Sequence, residues 1–566
     1  MKIEVPASFQ KILAAIDRKG YKAYKTLQGK SFAFGPFTVK FEHVQGDPFA
    51  FPSRISVKVS LSDAGFAPSC FDTELRRLAF EDHLLRILHD GIGRIGVKIR
   101  GSGKSGVVRI QAPGQKVLKR DAVRVQGNTL TCILFAGLPA EGRTVLGKEC
   151  LRLFAEGLAP LWVRSLLAAS LDLSSLQRSL DTLEDYEALK EELKNHGWAA
   201  FVANGSLLPR RSGVSDCPLE KGGIVFSAPE DLSARVRLPH GGWIEGMPVP
   251  RGITLIVGGG FHGKSTLLRA IQGAVYPHVA GDGRERIATV PSAVKIRAED
   301  GRPVHGVNVS GFMDRLPLVD STENFSTQSA SGSTSQAVNI LEAIESGSEF
   351  LLMDEDTCAT NFMIRDARMQ ALIPSSLEPI TPLLDRVGEI YETLRVSTLL
   401  VMGGSGDYFD AAHHVIAMEE FRPRLVTSHA RKIAHDSPVK RRREIRFPFP
   451  PVTHRRTDPN RLQFSRGKKD CVIQTQRLLA LTMGTHEVDT RYLEQLVEEG
   501  QLEMCGWILR RLKTLLETGT SSNREGLERI FADIKKEGFE AATPSNHGLL
   551  ALPRIQETLA VLNRLR

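Results

Sequence analysis

The sequence predicts a mixed α/β fold, and three stretches of the chain support this prediction. Residues 253–271 combine an apolar strand, a glycine-rich loop and the start of a helix. Residues 329–344 combine a serine-rich turn with a helix that has one apolar face. Residues 350–355 form an apolar strand that ends in two acidic residues. Strands and helices that alternate in this way are typical of α/β domains.

The first stretch contains a phosphate-binding loop, because Gly258 to Ser265 matches the pattern G-x-x-x-x-G-K-S/T between a strand and a helix. Its glycines let backbone N–H groups turn toward a phosphate chain, and the helix N-terminus adds a positive dipole end. Lys264 would bind the β- and γ-phosphates of ATP, and Ser265 would offer its hydroxyl to Mg²⁺. The predicted ATP-binding residues of this loop are Gly258, Gly259, Gly260, Phe261, His262, Gly263, Lys264, Ser265 and Thr266.

The acidic pair Asp354 and Glu355 suits the chemistry of a nucleotide hydrolase. An Asp at the end of such a strand holds the Mg²⁺ shell, so the predicted metal-binding residues are Ser265 and Asp354. The next carboxylate, on Glu355, can polarise the attacking water. The alternative interpretation is an ordinary acidic strand end, which the phosphate-binding loop in the same sequence disfavours.

The serine-rich turn is a candidate second anion site, because free N–H groups and hydroxyls converge where a helix begins. Ser331, Gly332 and Ser333 are its predicted binding residues. Many helices begin with serine simply as an N-cap, so the turn alone is a weak signal. Its position ahead of Asp354 and Glu355 strengthens the interpretation as an anion site.

Length and composition limit the classes of protein that the chain can represent. With 566 residues, 42% apolar and 25% charged, it has the balance of a folded protein of about three or four domains. Its seven cysteines are dispersed without a C-x-x-C pair, which favours reduced thiols over a disulfide framework or a zinc site. No apolar run approaches the ~18 residues of a membrane span. We therefore expect a soluble, cytoplasmic protein, with an organelle matrix or the nucleus as alternative compartments.

The order of the three stretches resembles that of the ABC ATPases. Ser331-Gly332-Ser333-Thr334 stands at the position of their Ser-Gly-Gly-Gln signature, and Asp356 to Asn361 stands at the D-loop position. Glu299-Asp300 is the substitute at the Q-loop position, and Ser405 stands where the switch histidine is usual. The resemblance thus implies three catalytic residues, namely Lys264, Glu355 and Ser405.

The departures from the ABC pattern are similar to those of a small family of stand-alone ABC-class ATPases from bacteria and some protists, one of which is a mitochondrial ATPase associated with RNA editing. The shared phrases lie at 44–50, 101–106, 137–143, 281–285, 330–334, 354–357 and 403–408. This resemblance covers nearly the whole chain. It implies an ABC-type P-loop core flanked by N- and C-terminal domains, a homodimer, and a role related to RNA.

Four segments are predicted along the chain: an α+β N-terminal domain, an ABC-type ATPase domain, a basic proline-containing segment and a mainly helical C-terminal domain, at residues 1–204, 205–430, 431–470 and 471–566. Short strands at 234–238 and 243–244 predict an antiparallel β layer beside the nucleotide. In the last segment, apolar spacing predicts helices over 477–483, 492–515, 526–538 and 549–566.

The net charge of +9 is concentrated in the basic segment. Residues 440–469 contain eleven Lys or Arg and two acidic residues, so the rest of the chain sums to zero. Basic side chains release counterions from a phosphate backbone, and interleaved aromatics can stack on unpaired bases. The predicted nucleic-acid contacts of this segment are Lys440, Arg441, Arg442 and Arg443. A solvated linker, a nuclear-import patch and a membrane-surface patch are the alternatives.

A second glycine-lysine loop, Gly101-Ser102-Gly103-Lys104-Ser105-Gly106, lacks two features of a phosphate-binding loop. Lys98 stands where the leading glycine is required, and the residues after Gly106 predict a strand instead of a helix. We reject it as a nucleotide site. Lys104 at a hairpin tip that touches a nucleic-acid phosphate and an ordinary solvated turn are the two open interpretations.

The resemblance to ABC ATPases implies a head-to-tail homodimer, in which the signature of one chain caps the ATP bound by the other. The expected function is ATP hydrolysis at this interface, coupled to the binding or remodelling of nucleic acid, with RNA favoured over DNA. A low-turnover, ATP-bound scaffold is the main alternative. A transporter ATPase subunit is a weaker one, because few residues separate Lys264 from Ser331 to form a membrane-coupling subdomain.

Overall fold

The computed structural model describes residues 3–314, 316, 321–545 and 547–565. Its α-helices are α1 Ala7–Ile16, α2 Leu61–Ala64, α3 Glu74–Gly93, α4 Gly147–Arg152, α5 Ala159–Leu166, α6 Leu173–Asn195, α7 Lys264–Gly273, α8 Gly332–Glu345, α9 Thr360–Met363, α10 Ala367–Leu372, α11 Leu383–Leu394, α12 Thr427–Asp436, α13 Glu499–Glu517, α14 Asn523–Glu537 and α15 Ile555–Leu562.

The strands are β1 Ser31–Phe34, β2 Phe37–His43, β3 Ser53–Ser60, β4 Val108–Arg109, β5 Val123–Gln126, β6 Thr129–Ala136, β7 Ala140–Glu141, β8 Thr144–Val145, β9 Trp198–Ala203, β10 Arg210–Ser212, β11 Ser215–Pro218, β12 Ala234–Leu238, β13 Gly242–Pro250, β14 Ile253–Val257, β15 Ile287–Thr289, β16 Val294–Ile296, β17 Val304–Val307, β18 Phe325–Thr327, β19 Phe350–Asp354, β20 Ser397–Val401, β21 His414–Glu419, β22 Arg422–Leu425, β23 Ile473–Gln476, β24 Ala480–Met483 and β25 His486–Asp489.

Two compact units divide the chain. The first contains the residues up to Glu184 together with Ser545–Leu552, and the second contains Asp185–Pro544 together with the residues from Pro553 onward. This grouping differs from the four predicted segments, because a short stretch near the C-terminus joins the first unit. The carboxylate of Asp121 explains that return, since it accepts hydrogen bonds from the N–H groups of Gly548 at 2.7 Å and Leu550 at 2.8 Å.

The first unit is built on an antiparallel sheet with strand order β1-β2-β3-β6-β4, and β5 also pairs with β6. Helix α1 covers this sheet with Phe9, which is fully buried. The ring of Phe9 lies 5.0 Å from that of Phe32 and 4.9 Å from that of Phe154. This buried aromatic cluster forms the core of the unit. A buried Phe of this kind stabilises a fold by about 3–5 kcal/mol relative to Ala.

The second unit contains a six-stranded, largely parallel sheet with the order β16-β19-β20-β14-β21-β22. Strand β14 lies inside it, with Leu255 paired to Leu400 on one side and to Val415 on the other. All three side chains are fully buried. Helices cover both faces of parallel sheets, which explains why these strands read as continuous apolar runs. An antiparallel sheet of order β12-β13-β9-β15 lies in the same unit and forms the predicted antiparallel layer.

The fold class is thus confirmed, namely an α/β P-loop core with an antiparallel β layer, an α+β N-terminal region and a helical C-terminal region. Three predictions for the C-terminal region were wrong in part or in full. The helices predicted over 492–515 and 549–566 begin only at Glu499 and Ile555. No helix forms over 477–483, where residues 477–479 are a turn and residues 480–483 are β24 of the three-stranded sheet β23-β24-β25. The reason is that Leu481 pairs across the sheet with Thr475 and Val488, so its burial comes from strand neighbours that local spacing does not reveal.

No helix in the described part of the chain is long and apolar enough to cross a membrane.

Candidate nucleotide-binding site

The predicted phosphate-binding loop connects the carboxyl end of β14 to the first turn of α7. In the described residues, the backbone N–H groups of 259–265 donate no hydrogen bond to a protein acceptor. The first N–H groups of any α-helix lack intrahelical partners, and the glycine-rich loop extends this row of free donors. The loop therefore offers a set of unused N–H groups, which is the arrangement that a chain of phosphates requires.

Lys264 folds back over this loop. Its Nζ donates to the carbonyl oxygens of Gly258 and Gly259, both at 2.6 Å. The ammonium group is therefore held beside the unused N–H groups, where it adds a positive charge. Phe261, also predicted to bind the nucleotide, is fully exposed at the tip of the loop, with a φ of 65°.

The turn between β21 and β22 contacts the phosphate-binding loop, and this contact was not predicted from the sequence. The N–H of Glu420 donates to Nδ1 of His262 at 2.9 Å. A Cβ at Gly258, whose φ is 138°, would lie 2.5 Å from the carbonyl oxygen of Met418. The first glycine is thus required by this turn. Because the turn follows more than 150 residues later in the chain, no local signal marks it.

The acidic pair lies where β19 ends. Asp354 is 8% exposed, and its Oδ1 accepts a hydrogen bond from the N–H of Asp356 at 3.4 Å. Glu355 Oε2 accepts hydrogen bonds from the N–H of Gly403 at 2.5 Å and from the N–H of Gly404 at 3.0 Å. Asp354 is therefore a buried carboxylate, and Glu355 is anchored to the loop that follows β20.

Ser405, the third predicted catalytic residue, forms no hydrogen bond with Glu355 within the described residues. Its hydroxyl accepts a hydrogen bond from the N–H of Asp407 at 3.3 Å, within its own turn. The two glycines that precede Ser405 make the contact instead. The paired glycines before Ser405 are the signal for this contact in the sequence.

The signature turn begins α8. Ser331 is the N-cap, and its Oγ accepts from the N–H of Thr334 at 3.4 Å. Ser333 Oγ accepts from the Asn361 side chain at 3.4 Å. Gln336 accepts from the N–H of Ala359 at 2.7 Å. Within one chain, the D-loop position is thus bonded directly to the signature helix.

Glu299, at the Q-loop position, is committed to an ion pair. Its Oε2 accepts from Nε of Arg564 at 3.0 Å, and its Oε1 accepts from Asn339 at 3.1 Å. Burial raises the pKa of the Glu299 carboxyl, but Arg564 outweighs this and holds the pKa below its usual range. Glu299 therefore joins the signature helix to the C-terminal residues of the second unit.

The four predicted nucleic-acid residues of the basic segment have different surroundings. Arg441 forms an ion pair with Asp385 at 2.7 Å, and its side chain is 10% exposed. Arg443 donates to the backbone carbonyl of Asp385 at 3.1 Å. Lys440 and Arg442 are exposed. Among the described residues, the backbone of Arg442 is bonded to Gln370, and neither side chain has a partner. The side chains of Lys440 and Arg442 are thus available to a polyanion.

Lys104 belongs to the first unit, and its loop is packed against two other loops. The N–H of Lys104 donates to the carbonyl of Pro48 at 2.9 Å, and Nζ lies 5.8 Å from the centroid of the Phe51 ring. The N–H groups of Ser102 and Gly106 donate to the carbonyls of Ala140 and Gly137. Because these N–H groups are already paired, the loop has no phosphate cradle.

Comparisons with known proteins agree with this geometry. A family model of the ABC ATPase P-loop domain matches residues 172–455, about half of the chain. The chain belongs to the ABC-class ATPases. A model described as the N-terminal part of ATPases of the ABC class matches residues 7–169 of this ABC-class ATPase, and a model of the MRB1590 C-terminal domain matches residues 472–566. The resemblance to the stand-alone family that includes this member is therefore confirmed.

Individual relatives match shorter parts of the ABC-class ATPase. Uncharacterized protein MJ1628 of Methanocaldococcus jannaschii is 28% identical over 236 residues, which cover 39% of this chain and 50% of the relative. The chain thus spans about half the length of the curated relative it matches. Two solved structures are also similar. The first is cbiO1 of Clostridium perfringens, part of the ABC transporter complex cbiONQ, which is 15% identical, with 43% of this chain and 96% of that chain covered and a TM-score of 0.26. The second is MJ1267 in its ADP conformation, an ATP-binding cassette of an ABC transporter, which is 11% identical, with 42% of this chain and 96% of that chain covered and a TM-score of 0.25.

Proposed function

We propose that this ABC-class ATPase hydrolyses ATP at an interface between two copies of the chain and couples the closure of that interface to the binding of nucleic acid, RNA in preference to DNA. The row of unused N–H groups at residues 259–265, beside the ammonium of Lys264, carries the ATP-binding part of this proposal. Such donors are costly to leave unpaired unless a ligand or water meets them.

The residues of the site suit ATP and Mg²⁺. Lys264 and the loop N–H groups would hold the phosphates, and the hydroxyl of Ser265 and the buried carboxylate of Asp354 would hold the metal ion. Bound Mg²⁺ would neutralise charge on the phosphates. Glu355, anchored on Gly403 and Gly404, would accept a proton from the attacking water as a general base.

The role of Glu355 is tested by Glu355→Gln, which keeps the shape of the side chain and removes its basicity. We expect turnover of ATP to fall by at least about 10²-fold while ATP still binds, because a general base contributes about 10²–10⁴-fold. Glu349→Gln is the matched control, since Glu349 pairs with the surface residue Arg251 in the same unit. Parent-level turnover by Glu355→Gln would remove the assignment.

The dimer proposal rests on the signature turn, where Ser331 caps α8 and the first N–H groups of the helix offer a second anion site. Hydrolysis would remove the charge that joins the two chains and loosen the dimer.

A mixing experiment tests this shared site. Lys264→Ala and Ser331→Arg should each abolish turnover alone. Mixed together, they should restore about a quarter of parent turnover, because half of the dimers then carry one intact composite site. No recovery on mixing would argue against a shared site.

The nucleic-acid part rests on Lys440 and Arg442 of the 440–443 cluster, whose side chains are exposed and have no partner among the described residues. Replacing both by Ala should weaken RNA binding and flatten its dependence on salt, because fewer counterions are released. Replacing the exposed helix residues Lys535 and Lys536 by Ala removes the same charge elsewhere and is the matched control. If both double variants weakened RNA binding equally, net charge would account for the effect, and a specific contact at Lys440 and Arg442 would be contradicted.

Turnover of ATP with and without RNA, single-stranded DNA and duplex DNA then identifies the coupled partner. Stimulation by RNA alone supports the proposal as stated. The serine at position 405, whose hydroxyl is bonded within its own turn, favours one competing function, a scaffold that binds ATP and turns it over slowly. A low turnover that no nucleic acid changes would support this scaffold.

A further inference from the structure

The turn after β20 lies beside the acidic pair because of strand register. Strands β19 and β20 run parallel, and Asp354 is paired with Val401 at their carboxyl ends. The residues that continue each strand therefore leave the sheet side by side, Glu355 from one and Gly403 and Gly404 from the other. Both glycine N–H groups point at the same carboxylate oxygen, Oε2, at 2.5 and 3.0 Å.

The other oxygen of Glu355, Oε1, accepts no hydrogen bond within the described residues. Space beside it depends on Gly404, because a Cβ at that position would lie 2.9 Å from Oε1. A Cβ at Gly403 would lie no closer than 3.7 Å to the carboxylate, which is ordinary contact. Neither glycine has a positive φ, so the backbone does not require glycine at either position. What Gly404 supplies is room.

We propose that Gly403 and Gly404 are positioning residues for hydrolysis, whose N–H groups fix Oε2 of Glu355 so that Oε1 remains open to the attacking water. The inference rests on the proposed role of Glu355 as general base. A free glutamate side chain samples several rotamers and can present either oxygen. Two N–H donors on one oxygen hold the carboxylate in a single orientation. Such alignment of a reacting group can raise the rate by about 10²-fold.

This arrangement also explains why no side chain from the following residue is needed. Gly403 and Gly404 act through their backbone, and the Ser405 hydroxyl turns away to the N–H of Asp407. The work expected of a switch side chain at this loop is thus performed by two backbone N–H groups and by the missing Cβ of Gly404.

Three alanine variants test the inference as a graded series. Gly404→Ala should lower kcat about 10- to 100-fold with ATP affinity within about twofold of the parent, because the methyl displaces Oε1 and its three nearest atoms all belong to Glu355. Gly403→Ala should lower kcat less than Gly404→Ala does. Gly388→Ala on α11, where nothing lies within 4 Å of the added Cβ, should match the parent. Thermal midpoints and ATP binding verify that each variant is folded.

A double variant separates this inference from the function on which it rests. In a Glu355→Gln background, Gly404→Ala should change the residual turnover by less than about twofold, because the group it misplaces no longer acts as a base. A full additional loss in that background, or equal turnover of Gly404→Ala and Gly388→Ala, would overturn the positioning role. Parent-level turnover by Glu355→Gln alone would instead overturn the proposed function.

Discussion

Two loops of this ABC-class ATPase share the letters Gly-Lys-Ser and have opposite uses for their backbone. In the loop at 258–265, the N–H groups of residues 259–265 donate to no acceptor in the described part of the chain, and the ammonium of Lys264 lies beside them. In the loop at 101–106, the N–H groups of Ser102, Lys104 and Gly106 donate to carbonyls of neighbouring loops at 2.7, 2.9 and 2.8 Å. A glycine-lysine sequence therefore marks a compact turn in both cases, and its hydrogen bonds decide whether it can bind a phosphate.

The elements that follow the two loops explain this difference. Helix α7 begins at Lys264, and the start of a helix leaves several N–H groups without internal partners. Strand β4 follows the other loop and pairs with β6, so its backbone is bonded within the sheet. Glycines avoid clashes with protein backbone in both loops, since a Cβ would lie 2.5 Å from the carbonyl oxygen of Met418 at Gly258 and 2.6 Å from that of Pro48 at Gly103. The two loops differ instead in whether their N–H groups are already bonded.

The largest expected effect separates the two lysines. Lys264→Ala should lower ATP turnover by at least about 10²–10³-fold, because it removes a charged donor aimed at the phosphates. Lys104→Ala should leave turnover without nucleic acid within about twofold of the parent. Steady-state ATPase assays on both variants test the comparison, and a comparable loss in Lys104→Ala would show that the two loops are not opposites.

The next effect concerns packing around the second loop. A Cβ at Gly137 would lie 1.8 Å from the carbonyl oxygen of Lys104, so Gly137→Ala should lower the free energy of unfolding by about 3 kcal/mol. Gly260→Ala adds a Cβ with nothing within 4 Å and should change it by less than about 0.5 kcal/mol. Denaturant titration measures both. If Gly260→Ala were the more damaging change, the phosphate loop would be the packed one.

The stability of the first unit is expected to depend on pH through one buried carboxyl group, that of Glu81. Burial raises the pKa of Glu81, on α3, to about 7, although the N–H of Val125 donates to its carboxylate and opposes the shift. A raised pKa in the folded state stabilises the protein at low pH, and this contribution is lost as the pH rises through about 7. Glu81→Gln, which stays neutral, should remove roughly 1–2 kcal/mol of the difference between pH 5 and pH 8. Thermal melts at several pH values test this, and identical profiles of parent and variant would contradict it.

The smallest effect separates the two serines. Ser105 donates its hydroxyl to the carbonyl of Ser102 at 2.6 Å and accepts from the N–H of Ala140 at 3.0 Å. Ser105→Ala should therefore cost about 1 kcal/mol of stability and leave ATP turnover unchanged. Ser265→Ala should have the opposite pattern of effects. It should lower ATP turnover at limiting Mg²⁺ and leave the thermal melting midpoint unchanged. A drop in turnover with Ser105→Ala would link the first unit to catalysis.

The phosphate loop and the acidic pair could be predicted from sequence because each is a local pattern of strand, turn and helix. The contact of Glu355 with Gly403 and Gly404 could not, since it depends on the register between β19 and β20 across 48 residues. The burial of Arg441 was hidden for the same reason, because its partner Asp385 lies 56 residues earlier. Charge counting identified the basic segment but not which of its cations are free.

The ion pair between Glu299 and Arg564 limits how this protein can be handled in the laboratory. The two side chains are only 5% and 7% exposed, so each depends on the other for compensation of its charge. A shortened version that stops before Arg564 would leave a buried carboxylate unpaired beside the signature helix, at a cost of about 3–5 kcal/mol. Purification handles and fluorescent labels therefore belong at exposed sites away from this arginine, and trimming the last few residues to aid crystallisation would destabilise the packing around the signature helix.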